Sequence, residues 1–335
     1  MAFNATTLLS VLLAATAQLH ALPQGEDHGT APAPLPLLSG NNATDWPQFR
    51  VIRDLETLWE VPDQVGGVLL VAHGCSHQAG DFWPASQRCP GCLGLPEEMA
   101  IRATALRRGY AVIAVSSYNR SSGCWHNTQA SRSEDLQRLP DIVREVVREE
   151  GLEGLPLFLF GASSGGGIVL RLAAIMAEVQ GVAAQVVPFR PDLMEGGQGW
   201  RRFPPVVVAH MAARDPVWAA QVAETMGYCR SVGIPAAEIR IDPQPITPQF
   251  LQRAPQIDRA TAEAMVEALD GEGLLDEPLV GGMSLEVNRS PVAQLLNELP
   301  ANTWAWGLAW LEAGGQLSLE EVQRVKERWG EQRGG

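Results

Sequence analysis

The sequence predicts an α/β fold: a mostly parallel, doubly wound sheet with a helical extension at its carboxyl end. Two observations carry that expectation. Several short apolar runs show no polar alternation, which marks strands buried on both faces. Segments with helical spacing alternate with those runs, as βαβ connections require. In chain order, residues 68–73 read as a continuous apolar strand, and 97–108 as a helix closed by Gly109. Residues 110–115 form the next strand. Leu139, Ile142, Val143, Val146 and Val147 then mark one helix face. Residues 156–160 are a strand, 165–179 a helix, 182–187 and 205–211 strands, 216–232 a helix and 238–241 the last strand. Past Pro243 the pattern becomes helical at 258–269, 291–299 and 318–329, the last opening on a capping box from Ser318 to Glu321. The expected core spans 46–245 and the extension 246–335. The extension is either a lid over the carboxyl edge of the sheet or a cover for one of its faces.

The chain has 335 residues, enough for one large α/β domain with a well-buried core. Its formal net charge of −13 repels phosphate backbones and argues against a nucleic-acid partner. Residues 8–17 are apolar but too short to span a bilayer, and end in Ala15, Thr16 and Ala17. They predict a signal peptide over 1–17, followed by a Pro- and Gly-rich flexible leader over 18–45. No later stretch reads as a transmembrane helix. The expected location is therefore secreted or in the lumen of the secretory pathway. An oxidising compartment makes the five cysteines, at 75, 89, 92, 124 and 229, candidates for disulfides with at least one thiol left over. Asn42 and Asn119 open N-x-S/T triplets and are candidate glycosylation sites; Asn288 opens a third, with Pro291 behind it.

The strongest chemical signal follows the strand at 156–160. Gly161, Ala162, Ser163, Ser164 and Gly165 give G-x-S-x-G between a strand and an apolar helix. That is the nucleophile elbow of the α/β-hydrolase fold. The turn is so sharp that its serine takes a strained backbone conformation, and residues two positions away must lack bulk. It raises the Ser163 hydroxyl above the sheet edge, at a helix amino terminus that favours developing negative charge. After the strand at 68–73 comes His73, Gly74, Cys75, Ser76, His77 and Gln78. His-Gly in that position is where this fold places an oxyanion donor. The expected oxyanion hole is thus the N–H of Cys75 and the N–H of Ser164.

His-Gly-Cys at 73–75, Cys124-Trp125 and Ser163-Ser164-Gly165-Gly166 occur in the order found in the secreted polyhydroxybutyrate depolymerase and feruloyl esterase family of α/β-hydrolases, which residues 65–215 resemble. The resemblance implies an esterase-like activity on a small or polymeric ester, with no cofactor. It also implies a bond between Cys75 and Cys124 that braces the oxyanion loop. Cys89 and Cys92 form a C-x-x-C without the context of a redox motif, and read as a local disulfide or as halves of two separate bridges. A zinc site from Cys75, His77, Cys89 and Cys92 is the alternative, with loose spacing; no metal is expected. Cys229, on a helix, reads as a buried free thiol.

In this fold the acid follows the nucleophile in the chain and the histidine comes last. Asp215, in the loop after the strand at 205–211, stands where the acid belongs; it also fits an N-cap before Pro216. No histidine occurs after His210, so the usual base is missing. Without a base a serine hydroxyl stays un-ionised at neutral pH. His73, His77, His126 and His210 are the possible substitutes. The sequence favours His126, which a Cys75–Cys124 bond would hold near the oxyanion loop, while His73 reads as structural and His210 as a core residue. Two functions remain: a serine hydrolase with a relocated base, or an inactive member of the fold that binds a ligand in the same pocket.

Overall fold

A computed structural model of the chain describes residues 46–126, 133–187, 203–210, 216–240, 247–252 and 257–271. The expected signal peptide, the leader and the helices at 291–299 and 318–329 lie outside the described residues. Eight strands form one sheet: β1 (Gln48–Ile52), β2 (Leu55–Glu60), β3 (Gly67–Ala72), β4 (Tyr110–Val115), β5 (Leu157–Ala162), β6 (Val179–Gln185), β7 (Val206–His210) and β8 (Ala236–Arg240). Their order across the sheet is β1-β2-β4-β3-β5-β6-β7-β8. β1 pairs with β2, and β2 with β4, antiparallel; every later pair is parallel. The helices are α1 (Pro96–Arg107), α2 (Glu134–Glu149), α3 (Ser164–Ile175), α4 (Pro216–Val232), the short α5 (Pro248–Leu251) and α6 (Arg259–Gly271). This is the predicted α/β-hydrolase fold.

The missing polar alternation has a direct cause. Successive strand residues point to opposite faces, and both faces are covered. Leu70, Leu159, Val182 and Val208 pack under Ile142 and Val146 of α2, Ile168 and Leu172 of α3, and Val222 of α4. Val71, Phe158, Phe160 and Val207 pack with Phe82, Trp83 and Ala105 on the other side. Each buried side chain of this size contributes roughly 1.5–3 kcal/mol by leaving water. Among the described residues, no helix is long and apolar enough to cross a membrane.

Two parts of the sheet differ from expectation. The β1–β2 hairpin was not foreseen: its turn puts Arg53 and Asp54 at φ 50° and 66°, a conformation usually signalled by Asn or Gly. The helix expected over 165–179 ends at Ile175, because β6 starts at Val179 and pairs it with Leu157. The unbroken apolar run hid that boundary.

The sheet order also fixes where a ligand site can form. From β3 the chain moves to β4 on one side, then returns to β5 on the other. The loops leaving β3 and β5 therefore part at the carboxyl edge, and such a switch point is where open α/β sheets open a crevice.

Candidate active site

β5 runs directly into the elbow. Ser163 sits at φ 52°, ψ −121°, a backbone state that costs a non-glycine residue on the order of 1–3 kcal/mol. Hydrogen bonds hold it there. The Ser163 N–H donates to the Gln185 carbonyl at 2.8 Å, and the Ser163 carbonyl accepts from Gly167 N–H at 3.1 Å. Three glycines make the turn possible. A Cβ at Gly161 would overlap the Gly165 carbonyl; one at Gly165 would overlap the carbonyl oxygens of Ala72 and His73; one at Gly166 would strike Val187. The first turn of α3 is thus pressed onto both β5 and the end of β3, and it carries the Ser164 N–H. Val186, beside these contacts, is itself at φ 48°, a rare state for a β-branched residue.

The loop after β3 lies against the serine. A Cβ at Gly74 would stand 3.7 Å from the Ser163 Cβ and 3.5 Å from His77 Cδ2. Several bonds fix this loop. His73 is buried; its Nδ1 donates to the Gly74 carbonyl at 2.6 Å, and its Nε2 accepts from Ser117 N–H at 3.1 Å. That pairing needs the neutral ring, and burial pushes its pKa down to about 3. The His73 ring lies 4.8 Å from Trp125, whose Nε1 donates to the His73 carbonyl at 2.8 Å. Cys75 and Cys124 are at disulfide distance, 2.05 Å. Asp135, buried in the first turn of α2, accepts from the N–H groups of Tyr118 at 2.7 Å and His126 at 2.9 Å.

His77 follows on the same loop, its side chain 13% exposed. Its Nδ1 is 2.9 Å from Oδ2 of Asp81, which is only 1% exposed and also accepts from Gln78 N–H at 3.1 Å. Asp81 belongs to a 3₁₀ turn over Ala79–Phe82; its Oδ1 is buried with no hydrogen-bond partner among the described residues. Glu98, in the first turn of α1, adds its charge to this group. Burial works against an imidazolium at His77, but the Asp81 hydrogen bond and the charges of Asp81 and Glu98 outweigh it and hold the pKa above its ordinary value. Burial, with a smaller contribution from Asp81, raises Glu98 to about 7.

The structure gathers Cys75, Cys124, Ser163 and Ser164 at one place. It separates Cys89 and Cys92, which pair with each other at 2.02 Å. The zinc alternative is thereby corrected: both disulfides consume the thiolates it needs, and no group of three ligating side chains occurs among the described residues. Cys229 is free and buried, and burial pushes its thiol up to about 11. His126 is exposed. Its N–H and carbonyl are held by Asp135 and Ser133, and its ring makes no hydrogen bond to a described residue. Asn119 is half-buried, its Oδ1 accepting from Ser121. Asp215 and Asn42 lie outside the described residues. Sequence reasoning missed Asp81, Glu98 and Asp135. Asp81 had a signal, an acid four residues after a histidine; the two others are brought in only by the packing of α1 and α2.

No family model matches the chain, and no curated protein matches it in sequence. Among solved structures, the chain is similar to TT1662 from Thermus thermophilus, at 17% identity and TM-score 0.38 over 59% of this chain and 89% of that one. It is similar to Thermogutta terrifontis esterase 2 phosphonylated by sarin, at 12% identity and TM-score 0.39 over 61% and 86%. A soluble variant of monoglyceride lipase from Saccharomyces cerevisiae, in complex with a substrate analogue, overlaps at 14% identity and TM-score 0.39 over 63% and 90%.

Proposed function

We propose that this chain is a secreted serine hydrolase that cleaves ester or related acyl bonds through Ser163. The observation that carries the reading is the strained Ser163, raised at the start of α3 against Gly74 of the neighbouring loop. A serine held at φ 52° by its surroundings is costly to keep, and such strain clusters where chemistry needs it. In this reading Ser163 Oγ attacks the acyl carbonyl, and the oxyanion is held by the N–H groups of Cys75 and Ser164. The resemblance to polyhydroxybutyrate depolymerases and feruloyl esterases makes a small or polymeric ester the substrate class. Asp215, after β7, stands where the usual chain order of this fold would put the acid. Two cysteine pairs at disulfide distance, with the apolar run at 8–17, support passage through an oxidising compartment.

A second reading, an inactive fold member that binds a ligand in this crevice, is favoured by one observation: no histidine follows His210. A fluorophosphonate probe separates the two. The hydrolase reading expects covalent labelling of the purified protein that disappears in Ser163→Ala. An unlabelled wild-type protein would leave the binding reading standing alone.

A further inference from the structure

We infer that His77, oriented by Asp81, is the general base that activates Ser163. The inference rests on the serine-hydrolase reading and supplies what that reading lacks, an imidazole. It comes from the opposite end of the sequence order, since base and orienting acid both precede the nucleophile.

Three observations converge on His77. The first is position. One point above Gly74 lies 3.5 Å from His77 Cδ2 and 3.7 Å from Ser163 Cβ, so ring and serine flank the same glycine. The second is orientation. Nδ1 is bonded to Asp81. A carboxylate accepts, so Nδ1 carries the proton and Nε2 the lone pair. The Cδ2–Nε2 bond lies across the ring from Nδ1, and Cδ2 is the atom turned towards Gly74. The basic nitrogen is bonded to Cδ2 and so lies on the ring edge nearest Gly74. The third is charge. The ring must accept a proton during the reaction, and Asp81 and Glu98 both favour the imidazolium. The Cys75–Cys124 pair and the buried His73 keep the loop from drifting, which matters because a base acts only within hydrogen-bond reach, roughly 2.6–3.2 Å, of its proton.

The other histidines are less suited. Both ring nitrogens of His73 are engaged. His126 is exposed and held by its backbone. His210 is on β7, two strands from β5, a span of about 10 Å across the sheet.

As Ser163 Oγ bonds to the acyl carbon, its proton passes to His77 Nε2 and the carbonyl electron pair moves onto the oxygen. When the tetrahedral centre collapses, the carbon–oxygen bond to the leaving group breaks, and the imidazolium returns the proton to the departing alkoxide. Water then repeats the sequence and frees Ser163. Ser163 Oγ has no cap hydrogen bond in the free protein; such contacts commonly tighten only when substrate is seated.

The test follows fluorophosphonate labelling of the full chain across pH, with the adduct located by mass spectrometry. His77→Ala and His77→Gln are each expected to slow labelling of Ser163 by ~100-fold or more, while near-ultraviolet circular dichroism stays that of the folded protein. Added imidazole is expected to restore part of the rate in His77→Ala, which a structural role would not allow. The groups facing His77 are Asp81 on its own turn, Glu98 from α1, His73 at the end of β3 and Arg120, whose Nη1 donates to the His77 carbonyl at 3.3 Å. With this surround the wild-type rate falls as pH drops through a value above 6.5, and Asp81→Asn moves that limb to lower pH. Labelled wild type with an unchanged rate in both His77 variants overturns the inference and leaves the hydrolase reading intact. So does a loss in His126→Ala alone. An unlabelled wild type overturns both.

Discussion

Two regions at the carboxyl edge of the sheet each hold a histidine bonded to a carboxylate, and one of them is on the loop whose Gly74 approaches Ser163. In the loop after β3, His77 meets Asp81 through Nδ1 at 2.9 Å. At the end of β7, His210 meets Glu238 of β8 through Nε2 at 2.8 Å. The first pair sits on a turn and turns its free ring edge towards Gly74. The second is set into the sheet, with the His210 side chain only 3% exposed and Arg240 sharing the same Glu238 oxygen. A histidine–carboxylate pair is therefore common property of a catalytic base and of a buried tie. What separates them is which nitrogen is used and what the opposite edge faces.

The contact that creates the difference is the approach of α3 to β3, and breaking it has the largest expected effect. In Gly165→Val the new side chain would collide with the carbonyl oxygens of Ala72 and His73. These are backbone atoms of a buried strand, so they cannot swing aside. The expected loss is ~3 kcal/mol of stability, at the upper end for overpacking, read as a lowered midpoint in urea. Where the variant folds, Ser163 labelling should fall too, because the turn at Ser163 and the loop after β3 no longer meet. A variant with wild-type stability would mean that the close approach is not a constraint.

His73 and His77, four residues apart on one loop, sharpen the contrast through pH. His73 is neutral in the folded protein, with a pKa of about 3 against 6.5 for an ordinary histidine. The unfolded chain binds the extra proton between those values, so stability declines as pH falls through that window, by about 1.4 kcal/mol per unit. Glu98, raised to about 7, acts in the opposite sense: it favours the folded state at low pH and loses that contribution as pH rises from 4.5 to 7. His77, raised above 6.5, adds stability that is complete below 6.5 and lost as pH climbs through its folded value. Between pH 4.5 and 6.5 the His73 and Glu98 effects offset each other, and below 4.5 the His73 effect stands without that offset. His73→Asn should therefore lose less stability than wild type between pH 4.5 and 3.5 in urea melts. Equal losses would show that His73 is not the buried neutral group the loop requires.

How much of this was legible in the sequence depended on the range of each interaction. The parallel strands and the elbow are local patterns: apolar runs buried on two faces, and glycines at fixed offsets from Ser163. The strands occur where the apolar runs place them, and a strand passes through Ser163 into a helix, although β6 begins earlier and the helix ends sooner than an unbroken apolar run shows. The β1–β2 hairpin was missed because its turn uses Arg53 and Asp54. The Cys75–Cys124 pairing was implied by resemblance alone. His126 was favoured for its nearness in sequence to Cys124, yet its ring is exposed, while His77 acquires its surroundings from Glu98 on α1 and Gly74 on the loop. Gly74 is local, three residues away, but Glu98 is brought in by the packing of α1, which no spacing rule in a single sequence records.

The smallest expected effect tests the comparison most directly. His210→Gln removes the ring that Glu238 accepts from, but Arg240 still reaches the same carboxylate oxygen, with Nε at 2.6 Å. One hydrogen bond is lost and its acceptor keeps a partner, so the cost should be about 1 kcal/mol, a small shift in the urea midpoint. Labelling of Ser163 should keep its wild-type rate, because His210 is on β7, with β6 standing between that strand and β5. The two histidine–carboxylate pairs would then part on function: a large change in rate at His77, and a small change in stability alone at His210. A rate that falls at His210 as steeply as at His77 would erase that distinction and return the base to the β7 side of the sheet.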